Sequence, residues 1–283
     1  YILVTLWVIV TCTFFMMKKL PGTPFDAERF SIMTPQQQER VLEMYGLNDS
    51  LPMQYVKYIK NMLKGDLGTS FTYVNQDVSK VITGRLGPSA LIGIQAVLIG
   101  LAIGLILGIL AAWKHNSGID YFTMILAVLG VSVPNFVAAA LLQYYIGLKW
   151  GVLPVGFWTG WNCSVLPSIA LSFSATAMVA RFMRTEMLDV LDQDYIVTAR
   201  AKGLSQMKVL MRHAVRNSIL PVVTILGPIV VNLMTGSLAV ENIFSIPGIG
   251  SLFVDCIKAN DYPVIMGITI FYAAFYMLIV LLV

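Results

Sequence analysis

Charged residues are scarce in this chain. Aspartate, glutamate, lysine and arginine together make up 12% of its 283 residues, whereas soluble globular proteins carry about 25%. Hydrophobic residues make up 57%, and they form several runs of about 20 residues, long enough to cross a bilayer core of ~30 Å. These proportions exclude a soluble globular fold and predict an integral membrane protein.

Histidine and cysteine are also rare, which argues against metal and redox chemistry. The two histidines, His115 and His213, lie in polar stretches, where a lone histidine is more typical of a solvated residue than of a catalytic base. The three cysteines follow no metal-binding spacing. A disulfide between Cys163 and Cys256 is conceivable, with free thiols as the alternative. We therefore predict no catalytic and no metal-binding residues.

Two further absences narrow the possible functions. The net charge is only +4, and the sequence carries no nucleic-acid-binding signature, so no nucleic acid partner is predicted. The phosphate-binding pattern GxxxxGK[ST] is missing from the sequence. This chain is therefore not expected to hydrolyse ATP itself or to bind a cofactor.

Six apolar runs are predicted to be transmembrane helices, because a spanning segment must satisfy its own backbone hydrogen bonds. They cover residues 1–17, 90–113, 121–148, 165–183, 219–240 and 264–283. The longer connections between them cover residues 18–89, 184–218 and 241–263. The whole chain is predicted to be one all-α membrane domain.

The distribution of lysine and arginine predicts the orientation in the membrane. With the N-terminus inside, seven basic residues lie in inner loops and only Lys149 and Lys258 lie in short outer loops. The seven are Lys114, Arg184, Arg200, Lys202, Lys208, Arg212 and Arg216. Lys18 and Lys19 count against this orientation. Both termini are therefore predicted to be cytoplasmic, with the long connections at 18–89 and 241–263 outside.

The long outer connection carries helix signals. Thr34 and Gln37 are spaced as a capping box, and Gly46 offers a C-terminal stop. A second helix is predicted after Ser50 and a third over about 77–86. The second helix would place one apolar stripe on a common face, consisting of Met53, Val56, Ile59 and Leu63. We predict a small outer cap of short helices.

Small residues recur every fourth position in the second predicted span. They are Ala96, Gly100, Gly104, Gly108 and Ala112. This spacing lets two helices approach closely, so we predict a helix-packing face, with a pore lining as the alternative.

The inner connection at 184–218 has the pattern of an ordered element. A short helix is predicted to stop at Gly203, because glycine readily adopts the left-handed conformation of a helix C-terminus. Ser205 can cap the basic helix that follows. Simple retention of the loop on the cytoplasmic side of the membrane is the alternative explanation for Arg200 and Lys202.

This connection resembles the EAA loop of binding-protein-dependent ABC importer permeases, in which Glu-Ala-Ala is followed by three intervening residues and then Gly. Val197 stands where that pattern has Glu, and Thr198 where it has the first Ala. Six segments are similar to the dipeptide and oligopeptide branch of the family: 20–25, 45–48, 65–70, 198–204, 212–221 and 236–250. The chain thus resembles the B-type membrane subunit of oligopeptide permeases.

The resemblance implies a fold, a location and partners. The fold would be six transmembrane helices of the type I ABC importer permease class, with a small helical outer region, in a bacterial or archaeal cytoplasmic membrane. The partners would be the lipid bilayer, a homologous second permease subunit, two ABC ATPase subunits that bind ATP and Mg²⁺, and an extracytoplasmic peptide-binding protein.

The resemblance also implies coupling residues, namely Thr198, Ala199, Arg200, Ala201, Lys202, Gly203 and Leu204. In that picture the small Ala199 lets the helix seat in a groove of an ATPase subunit. Arg200 and Lys202 would contact the rim of the groove, and Gly203 would turn the chain back to the membrane.

Polar residues within the predicted spans are candidates for the wall of a translocation path, with interhelical hydrogen bonding as the alternative. The candidates are Gln95, Asn135, Gln143, Ser172, Thr176, Asn232 and Thr235. Candidates for docking the binding protein are Lys57, Lys60, Pro247 and Gly248.

Alternative functions remain within and outside this family. Related permeases move dipeptides, nickel complexes or oligosaccharides, and one membrane subunit does not define the cargo. A stand-alone secondary transporter is less favoured, because the sequence shows no inverted repeat and no acidic residue at a helix centre. A membrane scaffold without transport is a further alternative.

Overall fold

The computed structural model describes residues 2–19, 30, 32–44, 46–73 and 75–283, and these residues are mainly helical. In chain order the helices are α1 Ile2–Lys19, α2 Pro35–Met44, α3 Leu51–Met62, α4 Val78–Trp113, α5 Gly118–Ser132, α6 Asn135–Leu142, α7 Val165–Leu191, α8 Asp194–Ala201, α9 Gln206–Val209, α10 Arg216–Met234, α11 Leu238–Ile243, α12 Ile249–Lys258 and α13 Tyr262–Leu282. Two π-helical segments, Gln143–Lys149 and Leu210–Val215, continue α6 and α9, and a 3₁₀ turn, Trp161–Ser164, precedes α7.

Five helical segments of the described chain are long and apolar enough to cross a membrane. They are Ile2–Lys19, Val78–Trp113, Trp161–Leu191, Gln206–Ile243 and Tyr262–Leu282. The pair Gly118–Ser132 and Asn135–Lys149 makes a sixth if the two helices count as one span. This pattern agrees with the all-α, six-span class expected from the sequence.

The segment predicted as one span over 121–148 is broken in the middle. α5 and α6 meet at an angle of 99°, with Val133 and Pro134 both in extended conformations between them. The physical reason is Pro134, because proline disfavours the helical conformation of the residue before it. The sequence predicts one continuous span here, whereas the structure has a break between two helices.

The second span begins earlier than predicted. Residues 77–86 were expected to form a separate outer helix and the span to start at Ala90, whereas α4 is one helix of 36 residues with Pro88 inside it. An internal proline forfeits the hydrogen bond to the carbonyl four residues earlier and crowds that residue. Here that residue is Gly84, and the helix continues through Pro88 without a break.

The chain forms two compact units. One, the first unit, consists of Tyr1–Gly87 and Ser251–Met277. The other, the core unit, consists of Pro88–Gly250 and Leu278–Val283.

In the first unit, the predicted helix caps are present, but the apolar stripe predicted on the second of these helices, α3, is not buried. Thr34 N donates to Gln37 Oε1 at 2.9 Å, and Gly46 has a φ of +65° after α2. The stripe on α3 is largely exposed, with Leu63 78% exposed. Instead α3 packs through its aromatic face, where the ring centroids of Tyr55 and of Phe14 on α1 are 5.3 Å apart.

A buried carboxylate orders the segment before α4 in the same unit. Asp261 is fully buried and accepts hydrogen bonds from the backbone N–H of Phe71 at 3.2 Å and of Thr72 at 3.0 Å, and from Ser70 Oγ. Burial, followed by the nearby charges of Asp261 and Asp255, raises the pKa of Cys256 to about 12. All three cysteines of the chain are free thiols.

In the core unit, α7 lies at the centre and packs against α5, α6 and α10. The small-residue face of α4 also lies against it. A Cβ atom on Gly100 would lie 2.6 Å from Ala175 Cβ, and one on Gly108 would lie 2.6 Å from the carbonyl oxygen of Ala180. The prediction that this face serves helix packing is confirmed.

We predict that Gly108→Leu destabilises the chain, because the added side chain would force α4 away from the α7 backbone, an overpacking cost of about 3 kcal/mol. The measurement is thermal unfolding in detergent, where the midpoint should fall. Gly84→Leu on the same helix is the matched control, since no atom lies within 4 Å of its Cβ position, and its midpoint should stay equal or rise. Equal midpoints for the two variants would contradict close packing at Gly108.

Candidate functional site: the coupling loop and the apolar cavity

The short helix α8 turns one face towards its own chain. Ile196 is fully buried and Ala199 is 5% exposed, and both pack with Val209 of α9. Residues three positions apart share a helix face, so this apolar pair fixes α8 on α9. The contact makes the loop an ordered element attached to the core unit.

Gly203 forms the turn between α8 and α9. Its φ is +76°, and its N–H donates to the carbonyl of Arg200 at 2.9 Å, while Leu204 N donates to that of Ala199 at 3.4 Å. No atom lies within 4 Å of its Cβ position. Glycine is therefore needed here for its backbone conformation and not for space.

The predicted coupling residues divide into exposed and buried groups. Thr198, Arg200, Ala201, Lys202 and Gly203 are exposed, and Leu204 is half-buried. Ala199 differs from the expectation, because it is buried against its own chain and its methyl group is not offered to a groove on another protein. Its small size serves the contact between α8 and α9.

Sequence analysis missed the apolar part of the exposed surface. Four large apolar side chains are more than 40% exposed in and after α8, namely Tyr195, Val197, Met207 and Met211. Exposed apolar side chains beside charged ones are typical of protein–protein contacts. They could have been found as apolar residues in a loop that the positive-inside rule places in water.

Two predicted path residues, Ser172 and Thr176, line one cavity in the core unit. It has a volume of about 830 Å³ and lies between α4, α5, α6 and α7. The walls are almost entirely apolar and include Ile103, Ala127, Gly130, Leu141 and Phe173. Thr123 also lines the cavity, and its Oγ1 is buried without a hydrogen-bond partner among the described residues.

Three other path candidates make structural hydrogen bonds. Gln143 Nε2 donates to the carbonyls of Val155 and Ile243, both at 2.6 Å, which ties the chain after α6 to the end of α11. Gln95 Oε1 accepts from Ser168 Oγ at 2.8 Å. Interhelical hydrogen bonding, the alternative considered from the sequence, therefore describes Gln95, whereas Gln143 bonds to a loop carbonyl and to a helix end. The third, Thr235, donates through Oγ1 to the carbonyl of Val231 at 2.9 Å, a bond within its own helix end.

The remaining two path candidates lie apart from the cavity walls. Asn135 is half-buried at the start of α6, and Asn232 is exposed on α10.

The predicted docking residues belong to different units. In the first unit Lys57 Nζ lies 2.6 Å from Asp49 Oδ2, and Lys60 is exposed. In the core unit Pro247 is half-buried and Gly248 is buried. Gly248 is thus a packing residue, because its burial leaves it no surface for contact with another protein.

Gly248 is buried against the carboxylate of Glu241, a residue that was not among the candidates predicted from the sequence. Glu241 of α11 is 2% exposed, and its Oε1 accepts from Ser89 Oγ at 2.7 Å. Ser89 Oγ in turn accepts from Ile249 N at 2.8 Å. A Cβ on Gly248 would lie 2.2–2.4 Å from the carboxylate atoms of Glu241, so only glycine fits there.

No group of three or more histidine, cysteine, aspartate or glutamate side chains that could hold a metal ion occurs in the part of the chain that the structure describes.

The sequence matches two family models. The one described as "Binding-protein-dependent transport system inner membrane component" matches residues 104–283. The one described as "Binding-prot-dependent transport system membrane comp, N-term" matches residues 2–78.

Curated relatives match almost the whole chain. The dipeptide transport system permease protein DppB of Lactococcus lactis subsp. cremoris (strain MG1363) is 45% identical over 280 residues, which is 99% of this chain and 91% of that protein. DppB of Bacillus subtilis (strain 168) is 42% identical, over 99% and 90%. The oligopeptide transport system permease protein OppB of Escherichia coli (strain K12) is 38% identical, over 95% and 88%.

A solved structure with the same fold is among those that match this chain. It is described as "Crystal structure of an amino acid ABC transporter with histidines", has a TM-score of 0.57 and 17% sequence identity, and covers 72% of this chain and 91% of its own. At this identity the likeness concerns the fold alone.

We predict that Gly248→Ala destabilises the core unit, because the new methyl group would overlap the Glu241 carboxylate and displace its hydrogen bond from Ser89, at a cost of about 1–3 kcal/mol. The measurement is the thermal unfolding midpoint in detergent. Gly118→Ala is the control, since its Cβ position has no atom within 4 Å. An unchanged midpoint for Gly248→Ala would show that the turn relaxes freely.

Proposed function

We propose, since this chain belongs to the family of binding-protein-dependent transport system inner membrane components, that it is one of two paired membrane subunits of an ABC importer for peptides. The relatives named above are permeases for dipeptides and oligopeptides, which supports a peptide cargo over nickel complexes or oligosaccharides. Family membership favours an importer with partner subunits over a stand-alone secondary transporter. The proposed location is the cytoplasmic membrane, with both termini inside.

The observation that carries the proposal is the ordered loop around α8. This helix offers an exposed surface that combines Val197, Thr198 and Arg200, with Lys202 directly after it, while its other face is attached to α9. A helix that is fixed on one side and exposed on the other can transmit a push from a partner into the membrane core. We propose that this partner is an ATPase subunit and that ATP and Mg²⁺ are bound there.

The proposed role of Gly203 is to aim the chain from α8 into α9 and α10. Its left-handed backbone lets two helices meet at a sharp angle within a few residues. Arg200 and Lys202 supply positive charge at the edge of the contact. Leu204 packs against the buried cluster that contains Ile196 and Ala199 and so stabilises the position of α8.

The proposed cargo path uses few polar groups. Ser172 and Thr176 are hydroxyl-bearing residues on a cavity wall that is otherwise largely apolar, and such a wall can pass peptides without gripping one side chain. A carrier must release its cargo, so peptide selection is assigned to the binding protein. We propose that the exposed Lys57 and Lys60 contact that protein on the outer surface.

We predict that Gly203→Val uncouples the transporter while Gly203→Asn does not. Valine is strained in the left-handed region by about 1–2 kcal/mol, whereas asparagine tolerates it, and the Cβ of either residue meets no neighbour. The measurement is ATP-dependent uptake of labelled dipeptides and oligopeptides into vesicles that contain this chain, its paired permease, the ATPases and the binding protein. Uptake should fall roughly tenfold in Gly203→Val, as expected for that strain.

Omission controls separate the importer from its alternatives. Uptake by the wild-type complex should vanish when either the ATPases or the binding protein is left out. Uptake that persists without them would overturn the importer proposal in favour of a stand-alone transporter. Equal uptake by the valine and asparagine variants would overturn the role of Gly203.

A further inference from the structure

An ion pair is buried at the end of the core unit that carries the coupling loop. Asp120, in the first turn of α5, is 3% exposed at its side chain, and Arg184 on α7 is 19% exposed. Arg184 Nε lies 2.5 Å from Asp120 Oδ1, and Arg184 Nη2 lies 2.8 Å from Oδ2. The pair is therefore bidentate, the geometry that holds two groups in one fixed orientation.

The turn between α4 and α5 closes over this pair. The backbone N–H of Asn116 donates to Asp120 Oδ2 at 3.0 Å. His115 Nδ1 lies 3.1 Å from the same oxygen and 3.3 Å from Arg184 Nη2. The carboxylate thus joins three segments, namely the turn after α4, the start of α5 and the later part of α7.

Packing alone does not require this pair. α5 and α7 already approach closely along their apolar faces, where a Cβ on Gly130 would lie 3.0 Å from Ala177 Cβ. Burying two charges carries a desolvation cost that such a pair only roughly repays. A buried pair of this kind therefore contributes more to the orientation of α5 against α7 than to net stability.

The position of the pair links the coupling loop to the cavity. α7 continues from Arg184 to Leu191, and α8 begins only three residues later. Two bonds tie the start of α10 to the same region, since Asn217 Nδ2 donates to Tyr195 OH at 3.0 Å and Ser218 Oγ donates to the carbonyl of Glu186 at 3.3 Å. On its other side the pair holds α5, which supplies one wall of the cavity.

We propose that the Asp120–Arg184 pair is a positioning contact that transmits displacement of α7 and the coupling loop to α5, and so to the cavity wall. The inference rests on the proposed function. It assigns to both residues a role in coupling ATP hydrolysis to transport and gives them no contact with cargo or nucleotide.

The test compares Arg184→Lys with Arg181→Lys in the reconstituted complex. Lysine keeps the charge but cannot make the bidentate contact, so the chain should still assemble. Arg181, one turn earlier on α7, is exposed and serves as the matched control. The quantity measured is the number of ATP molecules hydrolysed per peptide taken up, which does not depend on how much complex is folded.

For Arg184→Lys, uptake should fall at least fivefold while ATP hydrolysis stimulated by the binding protein stays within twofold, so that the ratio rises. Asp120→Asn, which keeps the shape of the side chain, should raise the ratio in the same way. Arg181→Lys should leave it unchanged. If uptake and hydrolysis fall together in both variants, or if neither changes, the pair is only a structural brace and the inference is overturned.

The wild-type complex distinguishes this inference from the proposed function. Wild-type uptake with an unchanged ratio in the variants overturns the inference alone. Absence of ATP-dependent uptake in the wild-type complex overturns the proposed function and the inference together.

Discussion

The close approach of neighbouring helices to α7 is the constraint on which the core unit depends. The span containing α7 is the most buried of the five that the structure describes. In its most apolar stretch 67% of the residues are buried, compared with 28% or less in the other four spans. In a bilayer the hydrophobic effect does not drive helices together, so their association depends on close packing and a few polar contacts. The glycines of α4 and α5 permit that packing, and the buried polar contacts of Glu241 and Asp120 fix the helix ends.

Under the proposed function, this arrangement explains how the loop around α8 can act on the helices of the core unit. The end of α7 is separated from α8 by two residues, and α8 is fixed to α9 by its own buried face. A force on the exposed surface of α8 therefore reaches the most buried helix of the core unit directly. The loop is short and ordered, which suits the transmission of a displacement. Ordering a loop costs conformational entropy, and a segment that only connected two helices would not require it.

Much of this organisation could be predicted from local sequence patterns. The apolar runs, the capping box at Thr34, the left-handed turns at Gly46 and Gly203, and the packing face of α4 each follow from a property of a few neighbouring residues. These features depend on backbone conformation and spacing, which a short stretch of sequence is enough to determine.

The remaining features depend on contacts between distant residues. Ala199 was expected to face a partner, but the fold turns it towards Val209, because the direction of a helix face is set by what packs beneath it. Glu241 and Ser89 are 152 positions apart, and Asp120 and Arg184 are 64 apart, so no local pattern pairs them. The sequence shows a proline at position 134, but the angle between α5 and α6 also depends on how α6 packs against α7.

The exposed face of α8 is the proposed contact surface for an ATPase subunit. The most direct measurement places a photo-crosslinking phenylalanine derivative at Val197, which is 58% exposed, and at Lys149, which is exposed in a predicted outer loop. Irradiation of the assembled complex should give an adduct with the ATPase from position 197 and none from position 149. No adduct from position 197, or equal adducts from both positions, would contradict the proposal that α8 contacts the ATPase.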